Sequence, residues 1–212
     1  LSGMLHDVGR FEQIKRYNTF SDADSVDHAK FGADLLFKDG LISTFLNGMV
    51  KCTGYKPGAL EDRYSSDGVF LYDRLNKSDM EMLELAIRCH NMYRIPQGLN
   101  RREQAFCNVL RDADKVDIFK VNIDTPLEEI YNTTTEELMK SDITDEVLEA
   151  FYEEHCILKA IRRTPADTVI GHVSLADELV YDESVRITVE QGYLAKLMHF
   201  HSDNEETNRK MA

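Results

Sequence analysis

No cysteine pair with metal-finger or redox spacing occurs in this chain. Its four cysteines, Cys52, Cys89, Cys107 and Cys156, are scattered. That pattern fits reduced thiols of a cytoplasmic protein rather than a disulfide framework. No apolar run approaches the roughly 18 residues that a spanning helix needs, and no basic region followed by an apolar signal core opens the chain. Internal repeats and low-complexity tracts are also missing. Positive charge is in deficit: 25 Lys and Arg against 38 Asp and Glu give a formal net charge of -13. A long nucleic acid held by phosphate neutralisation is therefore not an expected partner. A small anionic substrate remains compatible, because a bound cation and a few local bases can reverse the potential inside an acidic protein's cleft.

With 212 residues, 42% of them hydrophobic and 30% charged, the chain can bury a core of its own. Nearly every segment reads as helix. Ser25 is placed to cap a helix running to about Phe37, with Gly40 near its end and Val26, Ala29, Ala33 and Leu36 as its apolar stripe. Ser78 with Glu81 and Asn100 with Glu103 both have capping-box spacing. The first precedes Leu83, Ala86, Ile87 and His90; the second precedes Phe106, Leu110 and Ala113, a stripe that turns Asp114 inward. Thr125-Pro126 and Thr164-Pro165 pair a cap with proline at the first helical position. Thr144 starts another helix. A last one is expected from about Ser184 to His199, with a frayed tail from Ser202. The irregular stretch from Lys51 to Asn76 is long for a connector and reads as a lid or insertion, with Val69 to Tyr72 as a packed turn.

The chemistry-bearing residues form a series. His6 and Asp7 are adjacent in Leu5-His6-Asp7-Val8-Gly9-Arg10. His28 heads His28-Ala29-Lys30-Phe31-Gly32-Ala33, His90 follows Cys89, and Asp114 sits in Arg111-Asp112-Ala113-Asp114-Lys115-Val116-Asp117. Each falls on or beside an apolar helix face, where an unpaired polar group is costly and a metal removes that cost. Imidazole and carboxylate without clustered thiolate suit Mn, Fe, Mg, Zn or Ni. Cys89 reads as a small apolar residue.

The series resembles the HD superfamily of metal-dependent phosphohydrolases over about residues 1 to 122. That resemblance implies an all-α, HD-domain-like helical bundle, with residues 123–212 as a C-terminal helical extension packing on it. It also implies a divalent-metal cofactor of one or two ions, with His6, Asp7 and Asp114 as core ligands, Asp7 placed to bridge, and His28 and His90 completing a second metal. Asp112 is then an outer, supporting or helix-capping group. In the family a further histidine precedes the His-Asp pair on an earlier helix. The chain given opens on Leu1 inside a helix-like stretch, so the expectation is either that this helix lies upstream or that the site is incomplete.

From this follows a metal-activated attack of water on a phosphate ester or phosphoanhydride, a nucleotide being the favoured substrate. Asp7 lies at the reacting centre, and Arg10 and Lys115 are the bases best placed to hold phosphate charge, ahead of Lys15 and Arg94. Phe11 and Phe20, in a segment resembling that of small bacterial HD-domain proteins, could contact a base or simply pack. The partners expected are a small phosphorylated substrate and no membrane, with room for a homodimer. Two rival readings keep the same residues: a diiron oxygenase of HD type, and a non-enzymatic regulator that binds nucleotide or metal.

Overall fold

A computed structural model describes residues 1–45 and 77–211. The stretch from Lys51 to Asn76, including Val69 to Tyr72, lies outside the described residues. Among those described, every regular element is helical, and the fold is all-α. No helix among them is long and apolar enough to cross a membrane. The chain divides into two compact units, residues 1–110 and 111–212. The division falls within one long helix.

In the first unit, α1 (Ser2–Leu5) and α2 (Val8–Tyr17) are separated by His6 and Asp7, which serve as C-cap and N-cap. The pair therefore occupies a break between two helices, not consecutive positions on one. Next comes α3 (His28–Ala33), which continues as a π-helical turn, Asp34–Lys38. Its cap is Asp27, whose carboxylate accepts the Lys30 N–H at 3.1 Å. Ser25 is instead engaged with the preceding loop, donating to the Ser21 carbonyl at 2.7 Å. Ser25 lies two residues ahead of the cap position. α4 (Lys77–Cys89) already contains Ser78 and Glu81 within its body, so that spacing is not a capping box.

α3 packs on both α2 and α4. Glycine permits the first contact: a Cβ at Gly9 would meet the His28 carbonyl oxygen at 2.2 Å and the Gly32 nitrogen at 2.8 Å. The two backbones touch where the two sequence motifs carry glycine. Leu5, Ala33, Leu36, Leu83, Ala86, Ile87, Cys89, Cys107 and Leu110 form the core of this unit. Cys89, 2% exposed, is part of that apolar core. Arg88 on α4 joins Asp34 and Glu84 in an ion-pair cluster that fastens the π turn to α4.

α5 (Arg101–Asp124) begins with the predicted Asn100 and Glu103 box: Asn100 Oδ1 accepts the Glu103 N–H at 3.1 Å and Glu103 accepts the Asn100 N–H at 2.9 Å. Its buried stripe shares only Leu110 with the predicted one. Phe106 is 41% exposed and Ala113 is also exposed, while Cys107, Leu110, Arg111, Lys115, Phe119 and Asn122 face inward. Long aliphatic stems let Arg111 and Lys115 line a buried face that a count of apolar residues does not register.

The second unit is organised on α9 (Pro165–Val173), which packs against α7 (Thr135–Lys140), α8 (Asp145–Phe151) and α11 (Tyr193–Met198). Thr164 caps α9 with Pro165 at its first position, as the Thr164-Pro165 pattern predicts, and Asp167 closes a capping box with Thr164. For α6 (Leu127–Tyr131) the cap is Pro126, one residue later than the Thr125-Pro126 pattern indicates. The single late helix predicted from Ser184 to His199 is two, α10 (Asp182–Gln191) and α11, broken at Gly192 with φ 69°. The tail does not fray but forms α12 (Glu205–Met211). The Ser202 hydroxyl donates to the Met139 carbonyl at 2.5 Å and the Thr207 hydroxyl to Ser141 at 2.7 Å. Polar side chains dock this segment, so apolar periodicity gave no sign of it.

Candidate metal centre

Four residues of the sequence pattern meet in the first unit. Asp7 Oδ1 lies 3.3 Å from His28 Nε2 and 3.6 Å from His90 Nε2, and Asp7 Oδ2 lies 3.6 Å from His6 Nε2. The Nε2 atoms of His28 and His90 are 3.1 Å apart. The His6 ring stands edge-on to His90, with ring centroids 4.9 Å apart and planes at 88°. Each histidine arrives from a different place: His6 from the end of α1, His28 from the first turn of α3, and His90 from the end of α4.

Their second ring nitrogens explain the convergence. His6 Nδ1 donates to the Gly3 carbonyl at 3.0 Å, His90 Nδ1 to the Ile87 carbonyl at 2.7 Å, and His28 Nδ1 to the Asp22 carboxylate at 2.7 Å. Because a carbonyl or a carboxylate only accepts, each Nδ1 carries a proton and Nε2 is the ring nitrogen left facing Asp7. This is how imidazole ligands are commonly oriented. Two such nitrogens 3.1 Å apart beside a carboxylate require positive charge between them, from a proton or from a cation.

The spacing fits a metal ion. Donors about 2.1 Å from one cation are separated by about 3.0 Å at a right angle and about 3.4 Å at the tetrahedral angle. The observed separations of 3.1 to 3.6 Å lie close to these values. His6, Asp7 and His90 in particular offer ligand atoms that all lie within 4.8 Å of one another.

Electrostatics reinforce this geometry. Burial pushes the Asp7 carboxyl upward, but hydrogen bonds with His28 and His90 and the charges of His6 and His28 outweigh it, holding the group well below the usual carboxylate range. Asp22 behaves alike: burial raises its pKa, and His28, Gln13 and Arg10 bring it far lower. For His28, burial lowers the pKa while the bonds to Asp22 and Asp7 more than reverse that effect. Asp7 thus remains anionic, which a metal ligand must be.

Asp22 and Gln13 are the residues that sequence reasoning missed. Asp22 Oδ1 accepts Arg10 Nη1 at 2.9 Å and Gln13 Nε2 at 3.0 Å, while Asn91 Nδ2 reaches Asp22 Oδ2 at 3.3 Å. Gln13, fully buried on α2, also donates to the Val26 carbonyl at 2.9 Å and so fixes the loop ahead of α3. The available signal was a carboxylate six residues before a candidate histidine ligand, in the acidic stretch Asp22-Ala23-Asp24.

Arg10 is partly buried beside the centre. Its Nη1 donates to the Phe20 carbonyl at 2.5 Å as well as to Asp22, and its Nε lies 3.9 Å from Asp7 Oδ1. A groove of about 410 Å³ opens there, lined by Asp7, Arg10, Phe11, Ile14 and Phe20. Lys15 pairs with Glu12 on the surface, and Arg94 lies over the Tyr93 ring at 4.9 Å.

Asp114, Lys115 and Asp112 lie on the part of α5 that belongs to the second unit. Asp114 is partly buried. Lys115 is buried and donates to the Glu178 carbonyl at 3.1 Å; burial, then the neighbouring Arg111 charge, lower its pKa. Asp112, 1% exposed, accepts the Val180 N–H at 3.0 Å and the Tyr181 N–H at 3.0 Å, fixing the chain just ahead of α10. Comparison with protein-family models, with curated proteins and with solved structures returned no match for this chain.

Proposed function

We propose that the protein is a metal-dependent phosphohydrolase of HD type that acts on a phosphate ester or phosphoanhydride of a small molecule, nucleotides included. One observation carries the reading: three imidazoles, each with Nδ1 bonded outward, direct Nε2 toward one ionised aspartate at ligand-to-ligand spacing. His6, Asp7, His28 and His90 would hold the cation. A divalent ion bound there supplies Lewis acidity, which acidifies water and polarises a phosphoryl oxygen.

The protein's own groups do the rest. Asp7, anionic and half-exposed, lies between the histidines and the groove, where it can both hold the cation and accept a hydrogen bond from water. Arg10, held by Asp22 and the Phe20 carbonyl, presents a fixed positive charge beside the position a phosphate would take. Asp22 keeps His28 in one tautomer and one orientation.

The test is direct. Protein loaded with Mn²⁺ or Fe²⁺ should hydrolyse members of a panel of phosphate monoesters and nucleotides, and stoichiometric metal should be lost in Asp7→Ala. The same measurement on Asp114→Ala tests the fifth residue of the sequence pattern. Inactivity with every metal and every substrate would overturn the assignment.

A further inference from the structure

The groove beside Asp7 carries information about the substrate that the histidine cluster does not. Of the five side chains lining it, only Asp7 and Arg10 have polar atoms; Phe11, Ile14 and Phe20 are hydrocarbon. Phe11 is 77% exposed and Phe20 61%, so neither ring is consumed by the core. Large rings left in water beside a charged pair are unusual for a packing role, and small-molecule pockets commonly combine apolar walls with a few polar groups. The walls are also positioned. Phe11 and Ile14 lie three residues apart on one face of α2, and the carbonyl of Phe20 is held by Arg10 Nη1 at 2.5 Å. The volume of about 410 Å³ falls within the range of about 300–1,000 Å³ typical of small-molecule sites.

We propose that this groove selects the substrate by the apolar character of the group to which phosphate is attached, and that it does not read the edge of a base. The inference rests on the phosphohydrolase reading and narrows it. Charge fixes the direction of binding: the phosphate lies at the Arg10 and histidine end, and the organic part lies along Phe11, Ile14 and Phe20. In the reaction, the water oxygen bonds to phosphorus and the P–O bond to the alcohol breaks, its electron pair going to the leaving oxygen. A proton from the water ends on that oxygen. An aromatic or otherwise apolar alcohol leaves from this surface. The wall side chains offer no donor or acceptor that would distinguish adenine from cytosine.

Calorimetric titration of the Mn²⁺-loaded protein with phenylphosphonate and methylphosphonate tests this. Phenylphosphonate should bind about 10- to 100-fold more tightly, the effect of withdrawing a phenyl ring from water. In the double variant Phe11→Ala, Phe20→Ala that preference should shrink to within about 3-fold, with Mn²⁺ stoichiometry unchanged. Ribonucleoside monophosphates with the four bases should give kcat/KM values within about 3-fold of one another. Equal binding of the two phosphonates, a preference untouched by the double variant, or strong preference for one base would overturn the inference alone. Failure of the wild type to bind Mn²⁺, Fe²⁺ or any other divalent metal tried would overturn the phosphohydrolase reading, and this inference with it.

Discussion

Two aspartates, one in each unit, show what separates a site from a scaffold. Asp167 at the start of α9 is fully buried, and its oxygens accept the N–H groups of Thr144 at 2.8 Å, Arg163 at 2.8 Å and Thr164 at 3.1 Å. Its partners are fixed backbone donors that complete two helix starts. Asp7 is half-exposed, faces three imidazole nitrogens, and opens on a groove. The histidines divide in the same way. His172 in the second unit bonds Nδ1 to Asn122 Oδ1 at 2.8 Å, and the Tyr131 hydroxyl meets the same oxygen at 2.8 Å. His28, by contrast, uses Nδ1 for orientation and turns Nε2 toward a carboxylate and a second imidazole. Carboxylates and imidazoles serve both units; what differs is whether their neighbours saturate them or direct them at a common point.

Asp7→Ala should produce the largest effect and break the comparison at its centre. Metal content should fall to background and hydrolysis with it, while the helical circular dichroism of the chain persists. Next is Asp167→Ala, which leaves three backbone N–H groups without their acceptor and should destabilise the protein by roughly 3 kcal/mol or more. Urea unfolding measures the loss, and metal affinity measured on the folded variant should stay at the wild-type value. If Asp167→Ala instead abolished metal binding in a folded protein, the division into site and scaffold would fail.

A smaller change is expected from Asp22→Ala, which removes the carboxylate that orients His28. Loss of such a partner typically lowers metal affinity by about 10- to 100-fold. Competition with a chelator would detect it, and unaltered affinity would show that Asp22 serves only the loop. The smallest effect concerns His172, whose pKa is pushed down to about 3 by burial and then by the charges of Arg162 and Lys159. Unfolded histidine titrates near about 6.5, so between these values the unfolded chain binds the extra proton. The His172 contribution is therefore complete above about pH 6.5 and is lost as pH falls toward about 3. Between about pH 6 and pH 5, wild-type stability should drop by about 1 kcal/mol more than that of His172→Gln. Parallel pH profiles would show that His172 protonates freely in the folded state.

Much of the architecture was legible wherever a local rule and the tertiary structure agree. Asn100 with Glu103 and Thr164 with Pro165 mark helix starts because the signals lie within one turn. The rule failed where a competing partner lies elsewhere: Ser25 is held by Ser21 and Gln13, so Asp27 caps α3 instead. Burial on α5 was misread because charged residues with long stems occupy its inward face. For the candidate centre, the sequence pattern named His6, Asp7, His28 and His90 from their local contexts. It could not name Asp22 or Gln13. Neither lies in a motif, and their importance comes from bonds to Arg10 and His28 that exist only after the loop has folded over α2. The docked tail was hidden for a related reason: Ser202 and Thr207 are buried through hydrogen bonds, and hydrophobic periodicity carries no trace of those.

The contact of Gly9 with the backbone of His28 and Gly32 has a consequence for how the protein can vary. Side-chain interfaces can be repacked by exchanging one apolar residue for another, and helices drift by fractions of an ångström as they do. A seam made of main-chain atoms has no adjustable filler. The separation of Asp7 and His28 is thereby set by the thickness of two peptide backbones, insulated from whatever Leu, Ile or Met occupies the surrounding core. Sequences that diverge freely in that core should keep both glycines, and a side chain at either would move the histidine before it moved the fold.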